Sequence, residues 1–434
     1  MFQTLRTPLT NLQRAAELWP TATAFKVPIL DGTKAPVDPH ISGYIDITFQ
    51  QFHADVESAA AHWQFMLIQT QVGPGKVVAL CLRGYVYTDL VHIYGLMRAG
   101  YIPQMFTTLP GTVEAVASLL TSGGAKALVC AEDHLGLKSI DWISRNMDLK
   151  VFPDASLDVI RARASTPGAT ANFQRECSGD DVAMIVHTSG STSGLPKHVE
   201  WSHHFLDAIV AKAPAFCVPI EDGRQDVCSS WGPVCHVGTF SFMLSQIYHG
   251  SCTVMKSTAA LSTPELKVMI TLGGITRAIV YPVVLSRLIR ECHGDLELLG
   301  LVKKLDVIMT GGGSVHEDEW EFVQKNGIKL LNHYGCTESG NMLLSNLHGH
   351  PNHLSPIQIA TGDVRYQFIS VDAGLKELVV LPESGDCPPP YLCDKNTGIH
   401  HTGDLFTEVT PGEYLHRGRS DDWLKTTLGK CDAG

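Results

Sequence analysis

The sequence has 434 residues, 44% hydrophobic and 18% charged, so it can bury a large core and should contain more than one folding unit. Its formal net charge of -11, without a run of Lys or Arg, argues against a nucleic-acid surface, because phosphate binding needs a basic face. The N-terminus lacks a signal peptide's apolar segment, and no apolar run approaches the roughly 18 residues of a membrane span. We expect a cytoplasmic protein without nucleic-acid or membrane partners.

The twelve cysteines are scattered and form no CxxC pairs, which favours reduced, mostly structural thiols over a disulfide framework or a zinc site. Three histidines, His348, His350 and His353, cluster in "HGHPNH". They could ligate a metal, but a solvent loop rich in Gly, Pro and Asn explains the same pattern more simply.

Apolar β-rich runs alternate with helical stretches along most of the chain. The runs in chain order are "KVVALCLR", "TDLVHIYGLMRAG", "AKALVCAE", "DVAMIVHTSG", "RAIVYP", "LDVIMTGGG" and "IKLLNHYG". This alternation predicts a mainly parallel α/β sheet.

The pattern changes after about residue 355. There "VRYQFISVD", "KELVVLP" and "DLFTEVTPGEYLHRGR" read as short strands separated by Gly, Pro and Asp turns, which predicts a small antiparallel or barrel-like subdomain at roughly 355–418. The segment "ESGDCPPPYLCDKNTG" at 383–398 has the composition of a surface loop.

The segment "VHTSGSTSGLPK" (186–197) runs from an apolar strand into Thr, Ser and Gly and ends in Pro and Lys. Small residues let backbone N–H groups and hydroxyls close around an anion, and a lysine adds positive charge, so the pattern suits a triphosphate. A flexible linker is the alternative, but linkers rarely begin at a buried strand. An ordinary P-loop is disfavoured because His198, instead of Ser or Thr, follows Lys197.

This loop resembles the signature loop of the adenylate-forming superfamily, which includes acyl-CoA synthetases, luciferases and adenylation domains of nonribosomal peptide synthetases. Ser193 stands as an extra residue, and His198 replaces the usual Gly. Four further motifs of the family occur in order: "GLMRAGYIP" (95–103), "NHYGCTESG" (332–340), "HHTGDLF" (400–406) and "HRGRSDDWLK" (416–425).

The resemblance implies an α/β fold, the large N-terminal domain of the family, with two mainly parallel α/β subdomains and a smaller β-rich one. Residues 1–418 would form this core. Residues 419–434, with Asp421, would form the hinge and the start of a mobile C-terminal subdomain. We therefore expect the chain to be the large part of an adenylation domain, cut near the hinge.

The implied reaction is attack of a carboxylate oxygen on the α-phosphorus of ATP, with loss of magnesium pyrophosphate. The phosphate-loop residues would bind ATP, and these are Thr188, Ser189, Gly190, Ser191, Thr192, Gly194 and Lys197. Tyr334 would stack on adenine, Thr337 would contact the α-phosphate, and Glu338 would hold Mg²⁺. The remaining nucleotide contacts would be Gly311, Gly312, Asn332, His333 and Gly335, with Asp404 and Arg419 at the ribose. Lys197, Thr337, Glu338 and His236 are the candidate catalytic residues.

The segment "SSWGPVCHVGTFSF" (229–242) corresponds to the pocket segment that carries an Asp in amino-acid-activating relatives. It contains no acidic residue, and a buried ammonium without a counter-charge is costly, so we infer an acid without an α-amino group. "Pro-x-x-His-Val-Gly" resembles aryl- and acyl-acid ligases and carboxylic acid reductases, which places His236 beside the substrate carboxylate. The other pocket candidates are Trp231, Val237, Gly238, Phe240, Gly313 and Gly335, and core packing explains the aromatic ones equally well.

The ending "WLKTTLGKCDAG" is similar to fungal synthetase-like enzymes with adenylation, carrier and reductase domains. This implies an aryl acid, loading onto the phosphopantetheine of a carrier domain, release as an aldehyde, and NADPH if a reductase domain follows. The alternatives are an aryl-pyruvic acid with thioesterase release, as in quinone and furanone synthetases, and a nucleotide-binding module without catalysis. A P-loop phosphotransferase is disfavoured.

Overall fold

A computed structural model of the chain describes residues 5–31, 41–106, 113–131, 137–164, 178–188, 196–229, 232–359, 365–372, 374–426 and 429–432. The chain divides into two compact units. Unit 1 is Met1–Val210 with Gly232–Leu261, and unit 2 is Ala211–Trp231 with Ser262–Gly434.

Unit 1 alternates helices and strands along most of its length. Its helices are α1 (Pro8–Leu18), α2 (Phe49–Gln69), α3 (Tyr87–Arg98), α4 (Val113–Ser122), α5 (Leu137–Asn146), α6 (Leu157–Ala164), α7 (His203–Lys212, whose last two residues belong to unit 2) and α8 (Val237–Tyr248). Its strands are β1 (Thr23–Leu30), β2 (Ile41–Thr48), β3 (Val77–Cys81), β4 (Ile102–Met105), β5 (Ala125–Cys130), β6 (Lys150–Pro153), β7 (Val182–His187), β8 (His198–Ser202) and β10 (Cys252–Val254).

Six of these strands form one sheet in the order β6-β5-β3-β4-β7-β8, in which only β7 and β8 run antiparallel. β3 and β5 are buried nearly end to end, as expected for parallel strands covered on both faces. Ala79 and Leu128 pack with Leu119 of α4 and Ile143 of α5 in this core. Burial of apolar side chains is the main driving force for folding, so the apolar runs of the sequence form the central strands.

α2 and α3 pack closely because of Gly95, the first residue of the "GLMRAGYIP" motif. A Cβ on Gly95 would lie 2.5 Å from the Cβ of Ala59 in α2, so only glycine permits this approach. α2 itself begins with a capping box in which Thr48 and Gln51 satisfy each other's backbone N–H groups. The "GLMRAGYIP" motif thus spans the end of α3 and strand β4.

Unit 2 begins with parallel strands and continues with antiparallel ones. Its helices are α9 (Thr263–Thr271), α10 (Pro282–Cys292), α11 (Leu296–Val302) and α12 (Glu317–Asn326), with 3₁₀ turns at Ala213–Ala215, Pro390–Leu392 and Ser420–Asp422. Its strands are β9 (Val227–Ser229), β11 (Arg277–Val280), β12 (Val307–Gly311), β13 (Leu330–Cys336), β14 (Gly340–Ser345), β15 (Leu354–Pro356), β16 (Tyr366–Asp372), β17 (Leu375–Val380), β18 (His400–Thr410), β19 (Glu413–Arg419), β20 (Trp423–Thr426) and β21 (Gly429–Asp432).

The strands of unit 2 up to β19 follow the order β16-β17-β18-β19-β15-β14-β13-β12-β11-β9, and β20 pairs with β21. Neighbours from β9 to β13 are parallel, and those from β13 to β16 are antiparallel. Antiparallel pairing thus begins at β14, with Gly340, earlier in the chain than the change expected near residue 355. β15 pairs with both β14 and β19, so these strands extend the sheet of β12 and β13 instead of forming a separate one.

The predicted α/β class is confirmed. Within the described ranges, no helix is long and apolar enough to cross a membrane. Ten cysteines of the described residues are free thiols, and seven of these are buried.

Candidate functional site

The base of the phosphate loop is a β-hairpin between β7 and β8. His187 pairs with His198, and one position further the Thr188 N–H donates to the Lys197 carbonyl at 2.9 Å. The Lys197 N–H donates in return to the Thr188 side chain at 3.1 Å. The two ends of the loop are thus held together, and Lys197 is exposed. Residues Ser189, Gly190, Ser191, Thr192, Ser193 and Gly194 lie outside the described residues.

His187 anchors this hairpin to the neighbouring strand β4. Its Nδ1 bonds the Met105 carbonyl at 3.0 Å, its Nε2 lies 3.1 Å from the Gln104 amide nitrogen, and its ring packs on Phe106. Because Nδ1 faces a carbonyl, it carries the proton and Nε2 accepts from Gln104. Burial lowers the pKa of His187 to about 4, so the imidazole is neutral at pH 7. The residue before the loop is therefore a fixed, uncharged support.

In unit 2, Gly311 at the end of β12 and Gly312 just after it are glycines for two different structural reasons. A Cβ on Gly311 would lie 2.2 Å from the imidazole of His333 on β13, so this glycine accommodates a ring. Gly312 has a φ of +88° with open space around it, which only glycine adopts without strain. Burial lowers the pKa of His333 to about 4. Packing between β12 and β13 thus explains Gly311 and His333, and their predicted nucleotide contacts stay predictions.

Two asparagines, Asn332 and Asn352, hold the loop between β12 and α12. The Asn352 Oδ1 accepts from the Val315 N–H at 2.9 Å, and its Nδ2 donates to the Val315 carbonyl at 2.8 Å. The Asn332 Nδ2 donates to the Gly313 carbonyl at 3.3 Å, while its N–H donates to Ser345 at 2.9 Å. The loop backbone between β12 and α12 is therefore fixed by side chains.

Tyr334 on β13 lies against two rings of the antiparallel strands. Its ring centroid is 5.2 Å from that of Phe406 and 5.5 Å from that of His416. Burial first, and the charge of Asp404 second, raise the pKa of Tyr334 well above its usual value. Its ring orientation is thus set by its neighbours, as a stacking platform requires.

Asp404 on β18 is the centre of a polar cluster. The carboxylate Oδ1 lies 3.1 Å from His416 Nε2, and Oδ2 lies 3.6 Å from Arg419 Nη1. The Asp404 N–H donates to the Thr402 hydroxyl, and Arg419 also donates to the Thr402 carbonyl at 3.3 Å. The β18–β19 ladder creates this arrangement, since it pairs Asp404 directly with Arg419. The structure therefore brings the predicted ribose ligands Asp404 and Arg419 together beside Tyr334.

The candidate catalytic residues Thr337 and Glu338 lie in the turn between β13 and β14. The two strands meet tightly here, because a Cβ on Gly335 would lie 2.5 Å from the Gly340 carbonyl. Gly340 has a φ of +65°, which lets the chain enter β14 directly. The turn thus projects a hydroxyl and a carboxylate from a rigid hairpin, and both side chains are half-buried.

His236 in unit 1 caps the N-terminus of α8. The Gly238 N–H donates to its Nδ1 at 3.2 Å, so a neutral ring carries its proton on Nε2. Burial lowers its pKa, which keeps the ring neutral at pH 7. The preceding segment is fixed, since the Val234 N–H donates to the Gly84 carbonyl at 2.7 Å and the Gly84 N–H donates to the buried Asp89 at 2.6 Å.

The other pocket candidates have varied environments. Phe240 is 1% exposed and packs with Tyr94, which fits core packing, the alternative left open by the sequence. Val237 and Gly238 are half-buried in the first turn of α8. Gly313 is exposed, and Trp231 lies outside the described residues. The predicted hinge residue Asp421 is exposed in the 3₁₀ turn after β19.

The histidines of "HGHPNH" contact other side chains. His350 and His353 stack with centroids 4.8 Å apart, and the His350 Nε2 lies 3.2 Å from Glu317. The part of the chain that the structure describes contains no group of three or more His, Cys, Asp or Glu side chains placed to hold a metal ion.

Several residues that support these candidate sites were not predicted from the sequence. His416 was within a quoted motif but received no role, and Asn352 was hidden in the histidine-rich segment. Lys212 was overlooked, although a lysine in the apolar run "FLDAIVAKAPAF" signals a buried charge.

Strands β12 and β13 thus present a glycine-rich loop and a Tyr/Thr/Glu hairpin at their carboxyl ends, and β7 and β8 carry a Ser/Thr/Gly loop with a lysine. This combination is that of an adenylate-forming enzyme. A family model described as AMP-binding enzyme matches residues 12–368, and the chain belongs to this family of acid-activating, adenylate-forming ligases. The family predicted from the motifs is confirmed.

Named relatives agree with this assignment. The chain is 28% identical over 446 residues to "AMP-binding domain-containing enzyme iboA" of Amanita muscaria (strain Koide BX008), covering 96% of this chain and 80% of iboA. It is 28% identical over 263 residues to "Adenylate-forming reductase stbB" of Stachybotrys bisbyi, covering 59% of this chain but 24% of stbB. The solved structure of ATP-bound MatB from Rhodopseudomonas palustris matches with a TM-score of 0.75 at 17% identity, over 98% of this chain and 81% of MatB, which shows a shared fold.

Proposed function

We propose that the protein uses ATP and Mg²⁺ to activate a carboxylic acid without an α-amino group, preferably an aryl acid, as its acyl-adenylate. A carboxylate oxygen attacks the α-phosphorus, and the bond from that phosphorus to pyrophosphate breaks. This displacement needs no covalent enzyme intermediate, so the task of the chain is to bind and orient the two substrates and to neutralise their charge.

The observation that carries this proposal is the cluster of Tyr334, Asp404 and Arg419 in unit 2. A carboxylate fixed on both oxygens can accept the two ribose hydroxyls, and an oriented ring beside it can stack on adenine. Lys197 would carry positive charge to the β- and γ-phosphates, and Thr337 would donate its hydroxyl to the α-phosphate.

Glu338 fits the role of magnesium ligand by its chemistry, because a half-buried carboxylate on a rigid turn supplies the hard oxygen donor that Mg²⁺ prefers. When bound, the ion would neutralise phosphate charge and favour departure of pyrophosphate.

Two features favour an acid without an ammonium group. His236 is neutral with its proton on Nε2, so it can donate to a substrate carboxylate. Residues 229–242 contain no acidic side chain, and the preceding carboxylate, Asp226, is 1% exposed and ion-paired with Arg277 at 2.8 Å. Asp226 is therefore already neutralised and offers no free counter-charge to an ammonium.

For the later steps we propose transfer of the acyl group to the phosphopantetheine of a carrier domain and reductive release as an aldehyde with NADPH. The support is the resemblance of the final residues to fungal synthetase-like enzymes and the reductase name of stbB. An aryl-pyruvic acid with thioesterase release is the second candidate, since the missing acidic residue fits it equally.

The test is pyrophosphate release by the full-length protein, with hydroxylamine trapping of the adenylate, across benzoic, cinnamic, aryl-pyruvic, fatty and amino acids. We expect turnover with an aryl or aryl-pyruvic acid. Turnover with amino acids alone would overturn the pocket argument. ATP binding without turnover of any acid would indicate a nucleotide-binding module.

A further inference from the structure

Lys212, the last residue of α7, forms a fully buried ion pair in unit 2. Its Nζ lies 2.7 Å from Asp386 Oδ2, and the two side chains are 1% and 0% exposed. Removing two charges from water is costly, and a pair of packed apolar residues serves folding equally well. Such a pair therefore calls for an explanation beyond stability.

The other two hydrogens of the ammonium group have specific partners. Lys212 Nζ donates to the Ser339 carbonyl at 3.3 Å and to the Tyr366 hydroxyl at 3.2 Å. An ammonium has three N–H donors, so Asp386, Ser339 and Tyr366 account for all of them. With every donor used, the position of Nζ is fixed relative to the backbone at Ser339.

Asp386 is itself held in place by hydroxyl groups. Tyr366 donates to its Oδ2, and Ser384 donates to its Oδ1. Burial, followed by the Asp386 charge, raises the pKa of Tyr366 well above its usual value, so the phenol keeps the proton that it donates. Ser384 in turn accepts from the Arg365 N–H at 2.8 Å. The network thus joins α7, β16 and the segment after β17.

Ser339 is the last residue of the turn that carries Thr337 and Glu338. Hydrogen bonds of the β13–β14 ladder hold both ends of this hairpin, but within the turn the Ser339 carbonyl is the group that Lys212 holds. A shift of this carbonyl would rotate the adjoining peptide and move the Glu338 carboxylate with it.

We propose that Lys212 is a positioning residue for adenylation: through the Ser339 carbonyl, it fixes the turn that presents Thr337 to the α-phosphate and Glu338 to Mg²⁺. This inference rests on the proposed function. It separates two parts of nucleotide binding, because Tyr334 and Asp404 hold adenosine without Lys212, while contacts to Mg²⁺ and phosphate depend on it.

The decisive variant is Lys212→Met with Asp386→Leu in the full-length protein, which removes both charges and leaves no buried ion unpaired. We expect a small loss of affinity for AMP without magnesium, which keeps only the Thr337 contact of this turn, and a larger loss for ATP with magnesium. We expect kcat for pyrophosphate release to fall by roughly tenfold to hundredfold, since small displacements of reacting groups are that costly, with little change in KM for the acid.

The matched control is Arg277→Met with Asp226→Leu, which deletes another buried ion pair of unit 2. Arg277 donates to the Phe216 and Val218 carbonyls and to no residue of the turn, so its loss should leave the ratio of Mg-ATP to AMP affinity and kcat near wild type. Equal effects in both double variants would mean that general stability is responsible, and this would overturn the proposal.

If the Lys212 double variant does not fold, the Tyr366→Phe variant tests the positioning role in its place. It keeps the ion pair but removes one partner of the ammonium, and we expect a several-fold loss of Mg-ATP affinity with a smaller loss of AMP affinity. If the variant that folds binds Mg-ATP as tightly as wild type and keeps the wild-type kcat, the positioning role of Lys212 is overturned. If wild type itself turns over no acid, the proposed function fails, while the comparison of Mg-ATP with AMP binding still tests the role of Lys212.

Discussion

At the scale of single residues, the Asp404 carboxylate, the proposed ribose ligand, is oriented by its neighbours. His416 holds one oxygen and Arg419 lies near the other, so the carboxylate cannot rotate freely. The positive guanidinium also offsets the cost of burying a residue that is 7% exposed. A carboxylate held in this way would lose little conformational entropy on binding the ribose hydroxyls that we propose as its ligand.

We expect Asp404→Asn to weaken binding of AMP and ATP alike. Hydrogen bonds to a charged group are worth about 1.5–3 kcal/mol, which corresponds to a loss in affinity of roughly tenfold to hundredfold. Isothermal titration calorimetry with both nucleotides measures the change. Glu408→Gln is the matched control, because Glu408 lies on the same strand but pairs with Lys376. Equal affinities in wild type and Asp404→Asn would show that the ribose site is misplaced.

The sequence motifs predicted only part of the cluster around Asp404. Asp404 and Arg419 follow from their motifs, but the support from His416 depends on the β18–β19 register, which has irregularities between Asp404 and Phe406. Gly311 likewise has a packing reason that the sequence does not show, because the ring that it accommodates belongs to a strand about 20 residues later. Contacts across strands depend on register, and register is set by the whole sheet.

At the scale of elements, the N-terminus of α8 combines a structural task with a proposed chemical task in one residue. The Nδ1 of His236 accepts from a backbone N–H of the first turn, and a neutral ring therefore carries its proton on Nε2. A substitution can separate the two tasks, because asparagine is a good N-cap without an imidazole.

We expect His236→Asn to keep the stability of wild type and to lose acid activation, while His236→Ala loses both. Loss of the cap costs about 1 kcal/mol, and loss of a hydrogen bond to a charged substrate lowers kcat/KM for the acid by roughly tenfold or more. Thermal unfolding and pyrophosphate release measure the two effects. Ser262→Ala removes the cap of α9 and should reduce stability alone. Full activity of His236→Asn would limit His236 to capping.

The sequence predicted well which segments form strands, but it did not predict which distant segments contact each other. Apolar runs such as "LDVIMTGGG" and "IKLLNHYG" became β12 and β13, because continuous burial on both faces leaves a clear pattern. The "HGHPNH" segment was predicted as a loop, yet the role of Asn352 in holding Val315 depends on a partner 37 residues away. Local sequence carries no information about such a partner.

At the scale of the whole molecule, the compact units divide the chain at residues 210, 231 and 261. The sequence predicted one change of pattern, near residue 355, whereas antiparallel pairing in unit 2 begins at β14, with Gly340. A chain that crosses between units three times leaves no such mark, since both units contain similar β and α segments.

This division makes hydrogen exchange a test of the proposed roles. The proposed adenosine ligands Tyr334, Asp404 and Arg419 belong to unit 2, and the proposed phosphate ligands Thr188 and Lys197 belong to unit 1. AMP should therefore slow amide exchange in β13, β18 and β19, and leave the β7–β8 hairpin unchanged. ATP with magnesium should slow exchange in both sets of strands if its β- and γ-phosphates bind Thr188 and Lys197 as proposed.

The measurement is hydrogen–deuterium exchange with mass spectrometry at ligand concentrations of about 100 times Kd, where binding stabilises the occupied state by about 2.7 kcal/mol. Asp404→Asn at the same AMP concentration should lose the protection of β13, β18 and β19. Protection of β7–β8 by AMP alone would contradict the assignment of this loop to the terminal phosphates. Protection by ATP in unit 2 only would instead remove Lys197 from the nucleotide site, because a lysine that binds phosphate holds its hairpin closed.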